Sequence, residues 1–442
     1  MTPEATSDRL LELVSQGFDC EVIVTSGTNS LTRFANSFIH QNVSEETTSA
    51  SLTLVWNGRV STSSGTVTPD TLEGFVQRAA EATKVAPLNA DWPGLTDPVD
   101  VPPTRPPPAA TAAVTPDDRA ELVRRFVAAG EGMDSAGYCA TSGSTAVFAN
   151  SLGHTATGAT AAAVLDGIQQ AAGVAGSGHA ASRDLDDIDG DAVGRLAADR
   201  ARRSASPLSV EPDLYEVVLG PEAVATLALF LGFYGFNGKA VNEGQSFVQI
   251  GDRQFDPAFE LVDDPLDDRS FSLPFDHEGT PKRRLPLVTG GVSRNVVLDR
   301  REAAKAGSET TGHALTILGT NFGPIPTALF VSPGTSTPED LIAEVERGLY
   351  VSTFNYVRIL DPRTTVATGL TRNGTFLIEN GEMGRGVSDL RFTQSFAAAV
   401  ADGRVLGVGN DARFADSEFG PGIVHAPSMR LAGWRFTGGA AG

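Results

Sequence analysis

Six histidines are the residues of this chain best suited to metal or acid-base chemistry, and one of them begins a zinc-peptidase pattern. In the stretch "DHEGTPK" at 276–282, His277 and Glu278 match the start of HExxH, in which two histidines hold zinc and the glutamate acts as a base. The second histidine must follow one helical turn later, but that position is Pro281. Proline also opposes a helix interior, because it removes a donor and clashes with the preceding turn. We therefore expect no zinc site in this stretch.

The other histidines and the acidic clusters have no spacing that is typical of a metal site. The histidines are His40, His154, His179, His277, His313 and His425. No two of them lie within five residues, so no helix face carries a histidine pair. The acidic clusters are Asp263-Asp264, Asp267-Asp268 and Asp276-His277-Glu278. Their carboxylates could bind a hard cation, but aspartates beside Pro265 and Gly279 are more typical of turns.

Motifs for covalent catalysis and for phosphate binding are incomplete. No serine has the two flanking glycines of the GxSxG nucleophile elbow. Neither Cys20 nor Cys139 lies in a sequence context that lowers a thiol pKa. Gly238-Lys239 lacks the upstream glycine of a P-loop, and "GVGNDA" at 407–412 lacks the third glycine of a dinucleotide fingerprint. The residues alone therefore indicate no nucleophile and no nucleotide site.

Charge and composition exclude several classes of protein. The chain has 442 residues, with 34 Lys and Arg against 54 Asp and Glu, a net charge of −20. Such an acidic chain is a poor nucleic-acid binder, because phosphate binding depends on cationic patches. Two cysteines far apart rule out a disulfide framework and favour a reducing cytoplasm. The first residues do not resemble a signal peptide, and no apolar run reaches the length of a membrane helix.

The elements that must position these residues begin with an N-terminal α/β unit at 1–90. Leu10, Leu11 and Val14 repeat at helical spacing, and strands that alternate apolar with polar residues follow. Asn57-Gly58 between two such runs predicts a hairpin, and a second helix is expected at 68–84. The stretch 97–116 contains seven prolines, so we expect an extended connector at 91–116 and a domain boundary there.

A middle α/β unit is expected at 117–207, and a β-rich domain at 212–442. Thr115, Pro116 and Asp118 form a helix-start signal before the middle unit. The tetrapeptide "FANS" occurs at 34–37 and again at 148–151, either by chance or because two related β-layers each end a strand with Asn-Ser. Strands punctuated by glycine dominate the last part, with helices near 221–236 and 338–348. The predicted fold class is α+β.

Motifs in the last part, read in order, resemble the TldD/TldE (PmbA) family. They are "VVLGP" at 217–221, "EGQSF" at 243–247, "ELVDDP" at 260–265, "FDHEGTP" at 275–281, "TTGHA" at 310–314, "VSPGTSTPEDLIAEVERGLYV" at 331–351, "LIENGEM" at 377–383, "VGND" at 408–411 and "APSMRL" at 426–431. The N-terminal "RFANSFIHQ" fits the family more loosely. The resemblance thus extends over nearly the whole chain.

The resemblance implies where a zinc helix would lie. Catalytic subunits of the family carry H-E-x-x-x-H directly after the strand that is similar to "YEVVLGP", with a cysteine near the C-terminus as third ligand. Here Leu229 and Tyr234 fall on the histidine positions and Phe230 falls on the glutamate position, and the tail from Asp411 onward has no cysteine. Residues five apart on an ideal helix diverge by about 140°, so this spacing also requires a local distortion.

The chain therefore resembles the TldE-type subunit, which lacks the zinc motif. The resemblance implies a turn that recurs in both kinds of subunit and that contains Asp276, Glu278, Gly279 and Thr280. It also implies that no residue of this chain is catalytic or metal-binding. The implied partners are a TldD-like subunit that holds zinc and an unfolded peptide substrate, in the cytoplasm, without nucleic acid or membrane.

Two alternatives remain open from the residues. The chain could be an independent enzyme or binder with non-zinc chemistry around Asp276, Glu278, His313 or His425. It could also be a homodimeric scaffold without a catalytic partner.

Overall fold

The computed structural model describes residues 1–171, 173–315 and 322–439. The expected C-terminal domain therefore includes two short stretches, 316–321 and 440–442, that lie outside the described residues. The helices are α1 (Pro3–Leu13), α2 (Leu72–Val85), α3 (Ala109–Ala112), α4 (Pro116–Ala128), α5 (Gly190–Arg203), α6 (Pro221–Phe230), α7 (Gly238–Asn242), α8 (Arg300–Ala306), α9 (Pro338–Ala343) and α10 (Phe396–Ala399).

Strands make up a larger share of the chain than helices do. They are β1 (Asp19–Ala35), β2 (Phe38–Trp56), β3 (Arg59–Thr66), β4 (Asp134–Asn150), β5 (Thr155–Ala171), β6 (Val174–Ser182), β7 (Leu214–Leu219), β8 (Leu261–Asp263), β9 (Leu285–Thr289), β10 (Val292–Ser293), β11 (Leu329–Val331), β12 (Arg347–Asp361), β13 (Val366–Glu379), β14 (Glu382–Gly386), β15 (Leu390–Ser395), β16 (Val405–Val408), β17 (Arg413–Ala415), β18 (Val424–Ala426) and β19 (Met429–Gly439). The predicted α+β class is confirmed.

The first six strands form one antiparallel sheet in the order β3-β2-β1-β4-β5-β6. Its central pair, β1 and β4, is in register from Glu21↔Asn150 to Phe34↔Gly137. The expected boundary at 91–116 therefore does not separate two sheets, because the units on either side of it contribute neighbouring strands. The proline-rich stretch crosses from one half of a single sheet to the other.

Each half of this sheet has the same order of elements: a helix, three strands and a helix. The two "FANS" tetrapeptides occupy corresponding places, since each spans the end of the first long strand of its half. Asn36 and Ser37 make the β1–β2 turn with positive φ angles of 49° and 63°. Asn150, by contrast, still belongs to β4, and neither Asn150 nor Ser151 has a positive φ, so the two tetrapeptides share a position at a strand end but not a turn conformation.

Local signals at element boundaries are confirmed. Asn57 and Gly58 both have positive φ, 47° and 75°, as a two-residue type I′ hairpin requires. The Thr115 side chain accepts from the Asp118 amide, and the Asp118 carboxylate accepts from the Thr115 amide, so α4 begins with a capping box.

In the C-terminal part, five strands close into a ring. The pairings run from β12 to β7, β19, β15 and β13 and return to β12. Aromatic rings fill its interior around the fully buried Trp434, with ring centroids 5.0 Å from Phe354 and 5.4 Å from Phe392. A second sheet of short strands has the order β10-β9-β8-β11-β18-β17.

Helix α6 lies between these two C-terminal sheets, in contact with β7 and β12 on one side and β11, β17 and β18 on the other. All of its residues are buried, as expected for a helix that is apolar on nearly every side. It starts at Pro221, where the fixed φ of proline suits the first helical position. In the described ranges, no helix has the length and apolar character needed to cross a membrane.

The burial of α6 makes Leu229 a test of the core. Leu229 is fully buried, so Leu229→Ala should lower the free energy of unfolding by about 2 to 5 kcal/mol through lost transfer energy and a residual cavity. Leu360→Ala is the control: this side chain is 59% exposed, and the change should stay within about 0.5 kcal/mol. Urea denaturation measures both, and a loss below about 1 kcal/mol at Leu229 would contradict the packing of α6.

Candidate functional site

The helix α6 continues into a π turn at Leu231–Gly235. Of the positions where the resemblance places a zinc motif, Leu229 and Phe230 end α6 and Tyr234 lies in this turn. The amide of Phe236 donates to the carbonyl of Leu231, the i→i+5 bond of a π turn, at 3.0 Å. The extra residue in the turn reduces the angle between Leu229 and Tyr234. The backbone distortion that the five-residue spacing requires is therefore present.

The side chains at these positions are aromatic or aliphatic and pack among phenylalanines. Leu229 and Phe230 are buried, whereas Tyr234 is only partly buried and therefore lies at the edge of the core. The rings of Phe230 and Tyr234 stack with centroids 5.7 Å apart. We call the whole group the aromatic cluster. It consists of Phe230, Phe233, Tyr234, Phe322, Phe396 and Phe419.

These residues do not fit zinc, because leucine and phenylalanine offer no nitrogen, oxygen or thiolate ligand. Burial also raises the pKa of the Tyr234 phenol, which keeps it protonated. Among the described residues, no group of three or more His, Cys, Asp or Glu side chains has an arrangement that could hold a metal ion.

Next to the aromatic cluster is an exposed surface, formed by β12 and by the loop that follows β17. Tyr356 is 69% exposed and has a φ of 57°, a left-handed conformation that is strained for a bulky side chain. The Arg358 guanidinium lies 4.9 Å from the centre of the Tyr356 ring and pairs with Glu418 at 2.7 Å. Phe419 is 57% exposed, and its ring stacks on Phe233. We call Tyr356, Arg358, Leu360, Glu418 and Phe419 the β12 surface.

The "DHEGTP" segment is a tight turn held by Asp276, as expected. The buried Asp276 carboxylate accepts from the amides of Glu278, Thr280 and Ala314, each at 2.9 Å. Gly279 completes the turn with a φ of 73°. The carboxylate therefore stabilises the turn.

This turn also connects the C-terminal part to the N-terminal sheet. His154, at the start of the β4–β5 hairpin's second strand, donates from Nε2 to the carbonyl of Gly279 at 2.8 Å. Thr96 in the connector donates to the carbonyl of Glu278 at 2.7 Å. A Cβ on Gly279 would lie 2.3 Å from the Phe148 ring. The turn and the end of β4 are therefore in direct contact.

Carboxyl groups are concentrated at this junction. Burial, together with the charge of Asp276, raises the pKa of Glu21 on β1 to about 8. Burial also raises the pKa of Glu278, with further increases from Asp276, Asp299 and Glu21. The Arg300 guanidinium beside them donates to the carbonyls of residues 93–95 in the connector. Some of these carboxyl groups are therefore protonated at neutral pH.

The other candidate residues of the sequence analysis do not form a single site, although the His277 amide donates to the carbonyl of Ala314, next to His313, at 3.2 Å. His313 is fully buried between Asp263, 2.8 Å from Nε2, and Thr311, 2.9 Å from Nδ1. His425 lies on β18, where burial and the charge of Arg269 lower its pKa to about 4. Burial lowers the pKa of His277 to about 4 as well. The structure does not bring His277, His313 and His425 together into one site.

A charged group at the start of α6 was not anticipated from the sequence. Burial alone would raise the pKa of Glu222, but Arg413 at 2.7 Å and Arg200 at 3.8 Å hold it at about 2. His179 lies near this carboxylate and bonds to Asp166 at 3.1 Å. These residues are far apart along the chain, so no local pattern could have identified them. They join α5 and β6 of the N-terminal sheet to α6 and β17.

The close contact between Gly279 and Phe148 predicts that a side chain at position 279 lowers stability more than one at another glycine with positive φ. Gly279→Ala adds both backbone strain and overlap with Phe148, so the free energy of unfolding should fall by at least about 2 kcal/mol. Gly307→Ala is the matched control, because Gly307 has a φ of 63° but no atom within 4 Å of its Cβ position; about 1 kcal/mol is expected there. Equal losses in urea denaturation would contradict a role of Phe148.

The buried Glu21 carboxyl predicts a particular pH dependence of stability. Its pKa is about 8 in the folded chain against an ordinary 4.5, so between these values the unfolded chain loses a proton that the folded chain keeps. Stability from this group is complete below about pH 4.5 and falls as the pH rises to about 8, by at most about 1.4 kcal/mol per pH unit.

Glu21→Gln should remove this decline, so the variant should gain stability relative to the natural chain between pH 5 and pH 8. Urea denaturation at several pH values measures the slope, which is independent of any constant cost of the amide. Glu45→Gln, at an exposed position of β2, should leave the slope unchanged. Parallel curves for Glu21→Gln and the natural chain would show that Glu21 is ionised throughout.

Comparisons with known proteins relate this fold to metallopeptidases. Residues 212–438, more than half of the chain, match the family model described as the PmbA/TldA metallopeptidase C-terminal domain. A metalloprotease TldD homologue from Haemophilus influenzae is 30% identical over 210 residues, which cover 44% of this chain and 42% of that protein. A metalloprotease from Methanothermobacter thermautotrophicus is 23% identical over 223 residues, 50% of this chain and 48% of that protein. The matches thus span less than half of these curated relatives.

The fold itself is similar to that of a solved relative. The structure of TldE from Thermococcus kodakarensis superposes with a TM-score of 0.85 at 17% identity, over 98% of this chain and 99% of that chain. At this identity the likeness concerns the fold alone. Together with the match over 212–438, it leads to one conclusion: the chain belongs to the TldD/TldE (PmbA) family.

Proposed function

We propose that this chain is a non-catalytic, TldE-like subunit of a two-component zinc metallopeptidase that acts on unfolded peptides in the cytoplasm. The observation that carries the proposal is the aromatic cluster at the zinc-motif positions, where Leu229, Phe230 and Tyr234 replace the ligands and the base. A TldD-like partner would supply the zinc and the general base.

The cysteines of the chain give further support. A third ligand of the family type would have to be a thiolate near the C-terminus, but the two cysteines are buried on β1 and β4 of the N-terminal sheet. Burial raises the pKa of Cys20 to about 11 and that of Cys139 to about 12. Both thiols are therefore protonated at neutral pH, in surroundings unsuited to metal binding.

The role that we assign to the chain is to shape and close the peptide chamber of the complex. The N-terminal sheet has an edge strand, β3, to which the backbone of an extended peptide could add. The β12 surface has the composition of an interaction hot spot, because exposed Tyr, Phe and Arg side chains are grouped there. We assign this surface to the TldD-like partner. The net charge of −20 makes nucleic acid an unsuitable partner.

A reconstitution experiment tests the proposal. An unfolded peptide is incubated with this chain alone, with a TldD-like partner, and with a partner whose zinc histidines are replaced. Cleavage is expected in the second mixture and should be abolished by a chelator, because the metal belongs to the partner. Chelator-sensitive cleavage by this chain alone would overturn the proposal.

The β12 surface provides a second readout that does not depend on activity. Tyr356→Ala combined with Phe419→Ala should weaken association with the partner by about tenfold or more, since each exposed aromatic hot spot contributes at least about 1 kcal/mol. Leu152→Ala is the control, because this side chain is 48% exposed on the distant β4–β5 turn. Sedimentation measures both, and equal affinities would remove the β12 surface from the interface.

A further inference from the structure

We propose that a pocket between the β5–β6 hairpin and the wall of the five-stranded ring binds the C-terminal carboxylate end of an extended peptide. The choice of a peptide as the ligand rests on the proposed function, whereas the carboxylate specificity follows from the pocket itself. The pocket lies away from the aromatic cluster and from the "DHEGTP" turn.

The pocket occurs at an interruption of the β-ladder. Strand β13 pairs with β15 up to Leu370↔Arg391 and with β14 from Phe376↔Gly386 onward. Between these ladders, the segment 387–389 is attached to β13 by one hydrogen bond at each end. The Val387 amide donates to the carbonyl of Thr375 at 2.8 Å, and the amide of the following residue, Leu390, donates to Thr371 Oγ1 at 3.0 Å. The ring therefore has a gap beside residues 372–374.

The gap opens into a cavity of about 570 Å³, within the usual range of ligand sites. The start of β6 and the end of α5 form one wall, and β13 with the segment 387–389 forms the other. The polar lining residues are Ser204, Arg372, Asn373, Thr375, Ser388 and Asp389. The cavity thus lies where the N-terminal sheet meets the C-terminal ring, a frequent location for binding sites.

Arg372 is the group suited to an anion. Its guanidinium has no hydrogen bond and no ion pair with any residue in the described part of the chain. Burial raises the pKa of the nearby Asp389, and the charge of Arg372 only partly offsets this increase. Neighbouring arginines are already engaged: Arg203 donates to the carbonyl of Met383 and Arg385 to that of Ser206. A carboxylate can pair with a guanidinium through two parallel hydrogen bonds.

Thr375 is a second, independent sign of a ligand. Its side chain is 2% exposed, and its Oγ1 has no hydrogen-bond partner among the described residues. A buried hydroxyl without a partner is costly, and a ligand group in the cavity would satisfy it. The adjacent backbone turns with φ angles of 53° at Asn373 and 142° at Gly374, conformations that asparagine and glycine adopt readily.

The charges favour a single carboxylate over a phosphate. Asp389 lines the same cavity as Arg372, so a ligand with two negative charges would be repelled by the carboxylate that lies beside its cationic partner. The amide of Asn373 and the hydroxyls of Thr375 and Ser388 can bond to the last peptide groups of a chain. These features together fit the end of a peptide better than they fit an inorganic anion.

Fluorescence anisotropy on the full chain alone tests the proposal, with one labelled pentapeptide in two forms: with a free C-terminal carboxylate and with a C-terminal amide. The free acid should bind at least about tenfold more tightly, the equivalent of about 1.4 kcal/mol. Arg372→Gln should abolish this difference, whereas Arg363→Gln, at an exposed position of the β12–β13 turn, should preserve it. Equal binding of the two forms, or an unchanged preference in Arg372→Gln, would overturn the proposal.

Thr375→Val separates binding from folding. Without peptide, the isosteric change removes an unsatisfied hydroxyl, so the midpoint of thermal unfolding should rise or stay the same; with peptide, affinity for the free acid should fall by about threefold or more. A variant that is stable and binds normally would remove Thr375 from the site. The reconstituted cleavage assay is independent of these measurements, so acid-specific binding without cleavage would count against the proposed function alone.

Discussion

The contact between Gly279 and the end of β4 is the constraint on which the joining of the two halves of the molecule depends. Phe148 fills the space that a side chain at position 279 would occupy, and His154 donates to the carbonyl of the same glycine. Because Asp276 holds the turn in shape, the N-terminal sheet meets a rigid surface. The ion pair of Glu222 with Arg200, at 3.8 Å, forms a second connection between the same two parts, and Arg413 pairs with the same carboxylate from within the C-terminal part.

This arrangement explains why a segment that resembles a catalytic motif is structural here. His277 and Glu278 belong to the connecting turn. Burial lowers the pKa of His277 and raises that of Glu278, so it favours the neutral form of both side chains. The positions where the resemblance places a zinc motif lie elsewhere, in α6 and its π turn, and their side chains are Leu229, Phe230 and Tyr234. These side chains pack against other apolar residues of the C-terminal core.

Features that depend on neighbouring residues could be predicted from the sequence. The Asn57-Gly58 hairpin, the capping box at Thr115 and the burial of Leu229 all follow from local conformational preference or from the absence of polar residues on a helix. Features that depend on distant pairing could not. The union of β1 with β4, the charged group around Glu222 and the gap beside Arg372 each join segments with no common local pattern. The partial exposure of Tyr234 depends on the π turn, and no residue type in that segment indicates one.

The pairing of β1 with β4 has a consequence for synthesis of the chain on the ribosome. Once β3 has been synthesised, β1 is paired with β2 on one side only. Its other edge stays unpaired until β4, which ends at residue 150, has left the ribosome. At a synthesis rate of about 5 to 20 residues per second, this interval lasts several seconds. Long exposed edges favour aggregation. The middle of β1, Thr25 to Ser30, consists of Thr, Ser, Gly and Asn without a large apolar side chain, so this central part of the nascent edge offers little hydrophobic surface to another chain during that interval.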